Sequence, residues 1–191
     1  MKKSFILSFL IISLFSGCFS FSSLNPFSDS KDDENRVEIE IPDEAPIWLK
    51  EQKEKNNIVA LGATKNIKPN QLKLSKQKAL INAGHNLSRK VYIKTMKILK
   101  NYLEKVPNKV FEKDLRKEAE QIALKSLDRA KIIGFWESNK KQLFTLIKLD
   151  TSTLAEDIQL SSKKLFNVDY HLYKNILSNR AKAEIIKELE E

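Results

Sequence analysis

The residue with the clearest potential for chemistry is Cys18, the only cysteine among 191 residues. A single thiol excludes an intramolecular disulfide and a metal site built from several cysteines. Cys18 follows an apolar run, residues 5–15, which Lys2 and Lys3 precede. A short basic start before an apolar run is the pattern of an export signal, and this run is shorter than the roughly 20 residues that span a bilayer. We therefore expect Cys18 to be a modification site at the end of an export signal.

The residues around Cys18 resemble the bacterial lipobox, in which small residues precede a cysteine that is lipidated and becomes the new amino terminus. Gly17 stands directly before the cysteine, Phe15 occupies the usual leucine position, and Leu14 lies one residue further back. We expect cleavage after Gly17, loss of residues 1–17 as a signal peptide, and acyl chains such as palmitate on Cys18. Several chains, at about 0.8 kcal/mol for each buried CH₂, would anchor the protein firmly. The alternative is an ordinary signal peptide or signal anchor with a chance cysteine.

The other reactive residue types form no recognisable catalytic constellation. His85 and His171 are the two histidines, and neither belongs to a metal-binding H-E-x-x-H pair. The sequence has no G-x-S-x-G elbow and no glycine-rich phosphate loop. Adjacent acids such as Asp32 and Asp33 lie in a charged run, which is normally solvated. The sequence therefore favours a protein that is not an enzyme and has no metal or cofactor beyond the covalent lipid on Cys18.

Trp48 and Trp136 are the candidates for partner contacts. An indole ring combines a large apolar area with one hydrogen-bond donor and is common at binding hot spots, although both rings could instead pack within the domain. A basic cluster surrounds the end of a predicted helix and could hold the domain against anionic lipid or an acidic glycan, or form a solvated face. Its members are the lysines at 94, 97, 100, 105, 109 and 113. The formal charge of +9 would suggest nucleic acid in a cytosolic protein, but an export signal argues against that partner.

The segment that follows the lipidation site is predicted to be a tether. Residues 18–45 mix serine and asparagine with many acids and contain few periodic apolar positions. Val37, Ile39 and Ile41 alternate with acids, which is typical of a short edge strand, and an extended linker is the alternative. With 41% hydrophobic and 31% charged residues, the remaining chain is sufficient for one compact domain.

The elements that must position the two tryptophans are predicted from residue 46 onward. They are a strand at 58–61, a long helix at 71–105 with a plausible break or bend, a helix at 110–127, a hairpin with strands around 133–135 and 143–149, and helices at 151–165 and 168–190. Gly84 within the long helix indicates close packing against another backbone. This order predicts an α+β fold with a small antiparallel sheet that is packed by helices on one face.

Several short segments carry a family likeness. They are PIWL from Pro46, IVALGA from Ile58, the helix positions Ala79, Ala83, Leu87 and Val91, GFW from Gly134 and LFTLI from Leu143. Together with the lipobox context, they resemble the twenty-kilodalton membrane-associated lipoprotein family, here called the Lpp-twenty family. The likeness covers residues 46–150 and leaves residues 151–191 as a helical extension. It implies a small envelope lipoprotein with a sheet-and-helix domain. Some members are surface antigens, others help build outer-membrane parts of the flagellar motor, and none is characteristically an enzyme.

These observations predict a lipid-anchored envelope protein that acts as a structural or assembly module, with the flagellum as one setting. The expected partners are membrane lipid, through acylated Cys18, and an envelope protein or a second copy of the chain. Phe19 stands where aspartate would retain some bacterial lipoproteins at the inner membrane, so the outer membrane is favoured, on either face. The alternatives are a carrier of a small ligand or lipid and an adhesin for acidic glycans.

Overall fold

The computed structural model of the protein describes residues 39–51, 54–65, 67–104, 112–166 and 174–191. In chain order, the elements are helix α1 (Ile47–Lys50), strand β1 (Asn57–Thr64), a 3-10 turn (Pro69–Gln71), helices α2 (Leu72–Leu103) and α3 (Glu112–Arg129), strands β2 (Lys131–Glu137) and β3 (Leu143–Asp150), and helices α4 (Thr151–Leu165) and α5 (Asn179–Glu190). The fold is α+β, as the sequence predicts.

The strands form a three-stranded antiparallel sheet with the order β1, β3, β2. β1 pairs with β3 along its whole length, from Asn57 opposite Asp150 to Thr64 opposite Leu143. β2 pairs with the other side of β3, and a bulge interrupts the register between Ile132 and Gly134. The predicted hairpin is therefore confirmed, and its second strand is the centre of the sheet.

Helix α2 covers one face of the sheet through side chains spaced four residues apart. Ala79, Ala83, Leu87 and Val91 are completely buried. The helix backbone lies directly on β1, because a Cβ atom at Gly62 would be only 2.1 Å from the carbonyl oxygen of Ala79. α2 is uninterrupted over 32 residues, so the predicted break is absent from it. Gly84 is buried, but this close approach to the sheet is made by Gly62.

Helices α3, α4 and α5 complete the main core on the same side of the sheet. Their buried side chains join those of α2 in one cluster, including Leu115, Ile122, Leu154, Ile158 and Ile185. α4 and α5, which the sequence assigns to the extension over 151–191, therefore pack into the same core as the predicted family domain. α5 begins after Ser178, whose Oγ accepts a hydrogen bond from the backbone N–H of Ala181. The prediction of one helix over 168–190 is wrong, because a separate helix begins after Ser178. Residues 167–173 lie outside the described residues.

The opposite face of the sheet is covered by the chain that precedes β1, residues 39–50, which we call the strap. Leu49 is fully buried and Ala45 is 5% exposed. Both pack in a second cluster against side chains of β1 and β3, namely Val59, Leu61, Phe144 and Leu146. The sheet thus has helices on one face and the strap, including the single turn of α1, on the other.

The beginning of the strap corrects one prediction. Ile39 and Ile41 pack against the second cluster, but residues 39–42 form no strand. Val37, the third residue of the predicted edge strand, lies outside the described residues. Within the part of the chain that the structure describes, no helix combines the length and hydrophobicity that a membrane span requires.

Candidate functional site

The structure brings Trp48 and Trp136 onto the same face of the sheet. Trp48 lies across Gly134 of β2, since a Cβ atom at Gly134 would be 3.3 Å from Cη2 of the Trp48 ring. Trp136, two residues further along β2, has its ring centroid 5.5 Å from that of Phe144, its partner on β3. Both tryptophans pack against the second cluster and both are half-buried.

The sequence allows two interpretations of the tryptophans, partner contact and packing within the domain, and half-buried rings are compatible with both. One side of each ring packs within the domain, and the remaining surface is accessible to a partner. The absence of a side chain at Gly134 lets the Trp48 ring lie close to the strand, and the nearest atoms to an added Cβ would all belong to this ring. The sequence identifies the two tryptophans separately, and only the tertiary structure shows that they are neighbours.

The tryptophans lie beside an open edge of the sheet. Among the described residues, β2 pairs with β3 alone, so the outer side of β2 has no strand partner. Ile132 and Ile133, at the bulge, are 49% and 38% exposed, and Ile47, next to Trp48, is 71% exposed. An unpaired strand with exposed apolar side chains is a site at which another chain can add.

The other edge of the sheet is closed by side chains of α2. Asn82, Asn86 and Lys90 donate hydrogen bonds from their side-chain nitrogens to backbone carbonyl oxygens of β1. The acceptors are Ala63 at 2.7 Å, Leu61 at 2.7 Å and Val59 at 2.9 Å, respectively. Burial, followed by the charge of Lys94, lowers the pKa of Lys90.

We call these three hydrogen bonds the α2 ladder. Their spacing follows from the rise per residue of a helix and of a strand. Four residues of a helix advance about 6 Å, and two residues of a strand advance about 6.6 Å, so three helix side chains match three alternate carbonyl groups. With these carbonyl groups occupied, β1 is a poor template for strand addition. Sequence reasoning missed the ladder, although its signal is present as two asparagines and a lysine at intervals of four.

The predicted basic cluster is partly neutralised. Lys94 is half-buried, and its pKa is lowered by burial and by Lys97, while Glu191 opposes that shift. Lys97, Lys100 and Lys113 are exposed. Lys100 pairs with Glu112, with 3.7 Å between Nζ and Oε1. The lysines at 105 and 109 lie outside the described residues.

His85, the histidine that lies within the described residues, forms no recognisable site. His85 is half-buried, its Nε2 is buried without a hydrogen-bond partner, and burial lowers the pKa of its imidazole. In the described ranges, no group of three or more histidine, cysteine or acidic residues is placed to hold a metal ion. His171, and the predicted cleavage and lipidation residues Gly17 and Cys18, lie outside the described residues.

Comparisons of the sequence with models of known protein families and with curated proteins find no match. The resemblance to the Lpp-twenty family therefore stays a prediction. The five segments that carry it lie in α1 with its N-cap, β1, α2, β2 and β3. The GFW segment in β2 contributes Gly134 and Trp136 to the open edge.

Proposed function

We propose that this protein is a lipid-anchored lipoprotein of the bacterial outer membrane whose domain serves assembly. Its open sheet edge docks onto an envelope protein, and it performs no catalysis. The observation that carries this proposal is the difference between the two edges of one small sheet. α2 closes β1 with three side chains, whereas β2 is open and lies beside two half-buried tryptophans and three exposed isoleucines.

The chemistry of the open edge suits an extended segment of a partner protein. Backbone groups on the outer side of β2 can pair with an added strand, which supplies affinity, and neighbouring side chains supply specificity. The bulge before Gly134 twists the beginning of β2, so residues 134–137 are the regular part that pairing would use. Trp48 and Trp136 then provide apolar area, and covering such rings contributes about 1–2 kcal/mol or more each at an interface.

The strap supports a role at a membrane surface. It places the start of the described domain on the face that carries both tryptophans, and the residues numbered 19–38 separate it from Cys18. A chain of that length reaches about 25 Å as a flexible coil and up to about 70 Å when extended. An anchored domain therefore samples a thin layer above the bilayer, which raises its effective concentration toward a partner in the same membrane. The Lpp-twenty resemblance names the flagellar motor as one such setting.

Site-specific photocrosslinking in living cells tests the proposal. A photoreactive amino acid is introduced at Ile133 on the open edge, and as a matched control at Leu160, which is 62% exposed on α4. We expect one defined envelope protein to be crosslinked from position 133 and not from position 160, and its yield to fall in the Cys18→Ala background. Identical neighbours from both positions, or none from position 133, would contradict the proposal.

A further inference from the structure

A second surface feature lies at the end of the sheet that is opposite to Trp136. A pocket of about 450 Å³ opens where β1 begins, β3 ends and α4 starts. Three cationic side chains from three elements line it, together with polar groups of β1 and α4. The lining includes Arg129, Lys131, Lys148, Asn57, Asp150 and Thr153.

Two of these cations face each other in an unfavourable arrangement. Lys131 of β2 is directly opposite Lys148 of β3 in the antiparallel register. Side chains of such a pair share one face with Cβ atoms about 5 Å apart, and like charges in that position destabilise a sheet. Lys148 has one partner, Glu54, with 2.8 Å between Nζ and Oε1. Lys131 is exposed, and none of the described carboxylates pairs with it.

The carboxylates near the pocket are already engaged elsewhere. Oδ1 of Asp150 accepts hydrogen bonds from the backbone N–H and the hydroxyl of Thr153, at 2.8 and 3.0 Å, and so caps α4. Asp157, only 3% exposed, is held by Lys125 at 2.8 Å and by Arg129 at 3.0 Å. Both carboxylate oxygens of Asp157 are engaged in this way, whereas Asp150 is held through Oδ1 alone.

We propose that this pocket binds a phosphate group, either free or as part of a lipid headgroup. A phosphate placed between Lys131 and Lys148 would replace their repulsion with two attractive interactions. Arg129 carries five N–H donors, and its contact with Asp157 leaves donors for a second anion. A local arrangement that costs stability in the empty protein and is relieved by a ligand is typical of a binding site.

Thermal unfolding of the full chain in detergent tests the site. The probe is inorganic phosphate, compared with chloride at the same ionic strength and pH. We expect the Tm of the wild type to rise with phosphate concentration, since a ligand that binds only the folded state stabilises it. Lys131→Glu should raise the Tm in chloride, because it exchanges the repulsion for an ion pair with Lys148, and should weaken phosphate binding at least tenfold.

The control variant is Lys140→Glu, which makes the same charge change at the exposed hairpin turn. It should keep the full response to phosphate, and Lys131→Gln provides a second variant that only removes the cation. A soluble short-chain phosphatidylglycerol distinguishes the two sources of phosphate: tighter binding than inorganic phosphate assigns the site to a lipid headgroup, and equal or weaker binding assigns it to free phosphate. Absence of any phosphate response, or equal responses in Lys131→Glu and Lys140→Glu, would overturn the inference.

Discussion

Gly62→Ala should strongly destabilise the fold, because the added methyl group has no room between β1 and α2. A Cβ atom at this position would lie 2.1 Å from the carbonyl oxygen of Ala79, 2.3 Å from the amide nitrogen of Ala83 and 2.7 Å from its Cβ. Two of these three neighbours are backbone atoms, which cannot rotate away as a flexible side chain would. Since an ordinary contact is about 3.5 Å, α2 must move by more than about 1 Å.

The cost of that displacement can be worked out from what it disturbs. Overpacking a core typically costs about 1–3 kcal/mol. The movement also affects the bonds from Asn82 and Asn86 to β1, both 2.7 Å long, and each such bond contributes about 1 kcal/mol net. We therefore expect a loss of about 3–5 kcal/mol in the free energy of unfolding and a fall in Tm of about 10 °C.

Urea unfolding followed by circular dichroism measures this effect, and Gly134→Ala is the matched control. The added Cβ at Gly134 meets only the ring of Trp48, at 3.3 Å, and a side chain can shift by a few tenths of an ångström. That variant should change the free energy of unfolding by less than about 1 kcal/mol. The reasoning fails if Gly62→Ala is as stable as the wild type, or if Gly134→Ala is the more damaging change.

Two further predictions concern the α2 helix. Burial, followed by the charges of Glu184 and Glu188, raises the pKa of Tyr102 to about 12. The stability that comes from keeping this phenol neutral is therefore complete below about pH 10, where the unfolded chain begins to ionise, and is lost as the pH rises toward 12. Tyr102→Phe should lose less stability than the wild type over that interval in urea unfolding, and parallel curves would contradict this. Replacing both Asn82 and Asn86 with alanine should cost about 1–2 kcal/mol and open the β1 edge to self-association, which light scattering detects. Replacing the exposed Lys73 and Lys97 with alanine is the control, and equal scattering from the two double variants would refute the role of the ladder.

The sequence predicts the elements well where the pattern is local. The four-residue spacing from Ala79 to Val91 identifies α2, because it directly reflects burial of one helix face. The almost continuous apolar run of residues 143–149 identifies β3, the central strand, which is buried on both faces of the sheet. The prediction of a single helix over 168–190 is wrong because apolar spacing continues across a helix start. Ser178, a favourable N-cap residue, marks the start of α5, but the apolar spacing alone does not indicate this start.

The site could be predicted only in part. Trp48 and Trp136 can be selected from residue type, but their proximity depends on the register of β2 and on the space above Gly134. The α2 ladder has a readable spacing, yet polar residues at such positions are ordinarily solvated. Only the close approach at Gly62 brings Asn82 and Asn86 within reach of the carbonyl groups of β1.

The strap connects the proposed anchor with the proposed binding edge. It supplies Leu49 and Ala45 to the second cluster, and without them the apolar face formed by β1 and β3 would be uncovered. The folded unit therefore includes residues that the sequence places in the tether. Because Trp48 belongs to the strap and lies over Gly134 of β2, any displacement of the strap also changes the surface beside the open edge. Trp48 is therefore the residue through which the strap, on the side of the proposed anchor, contacts the proposed binding edge.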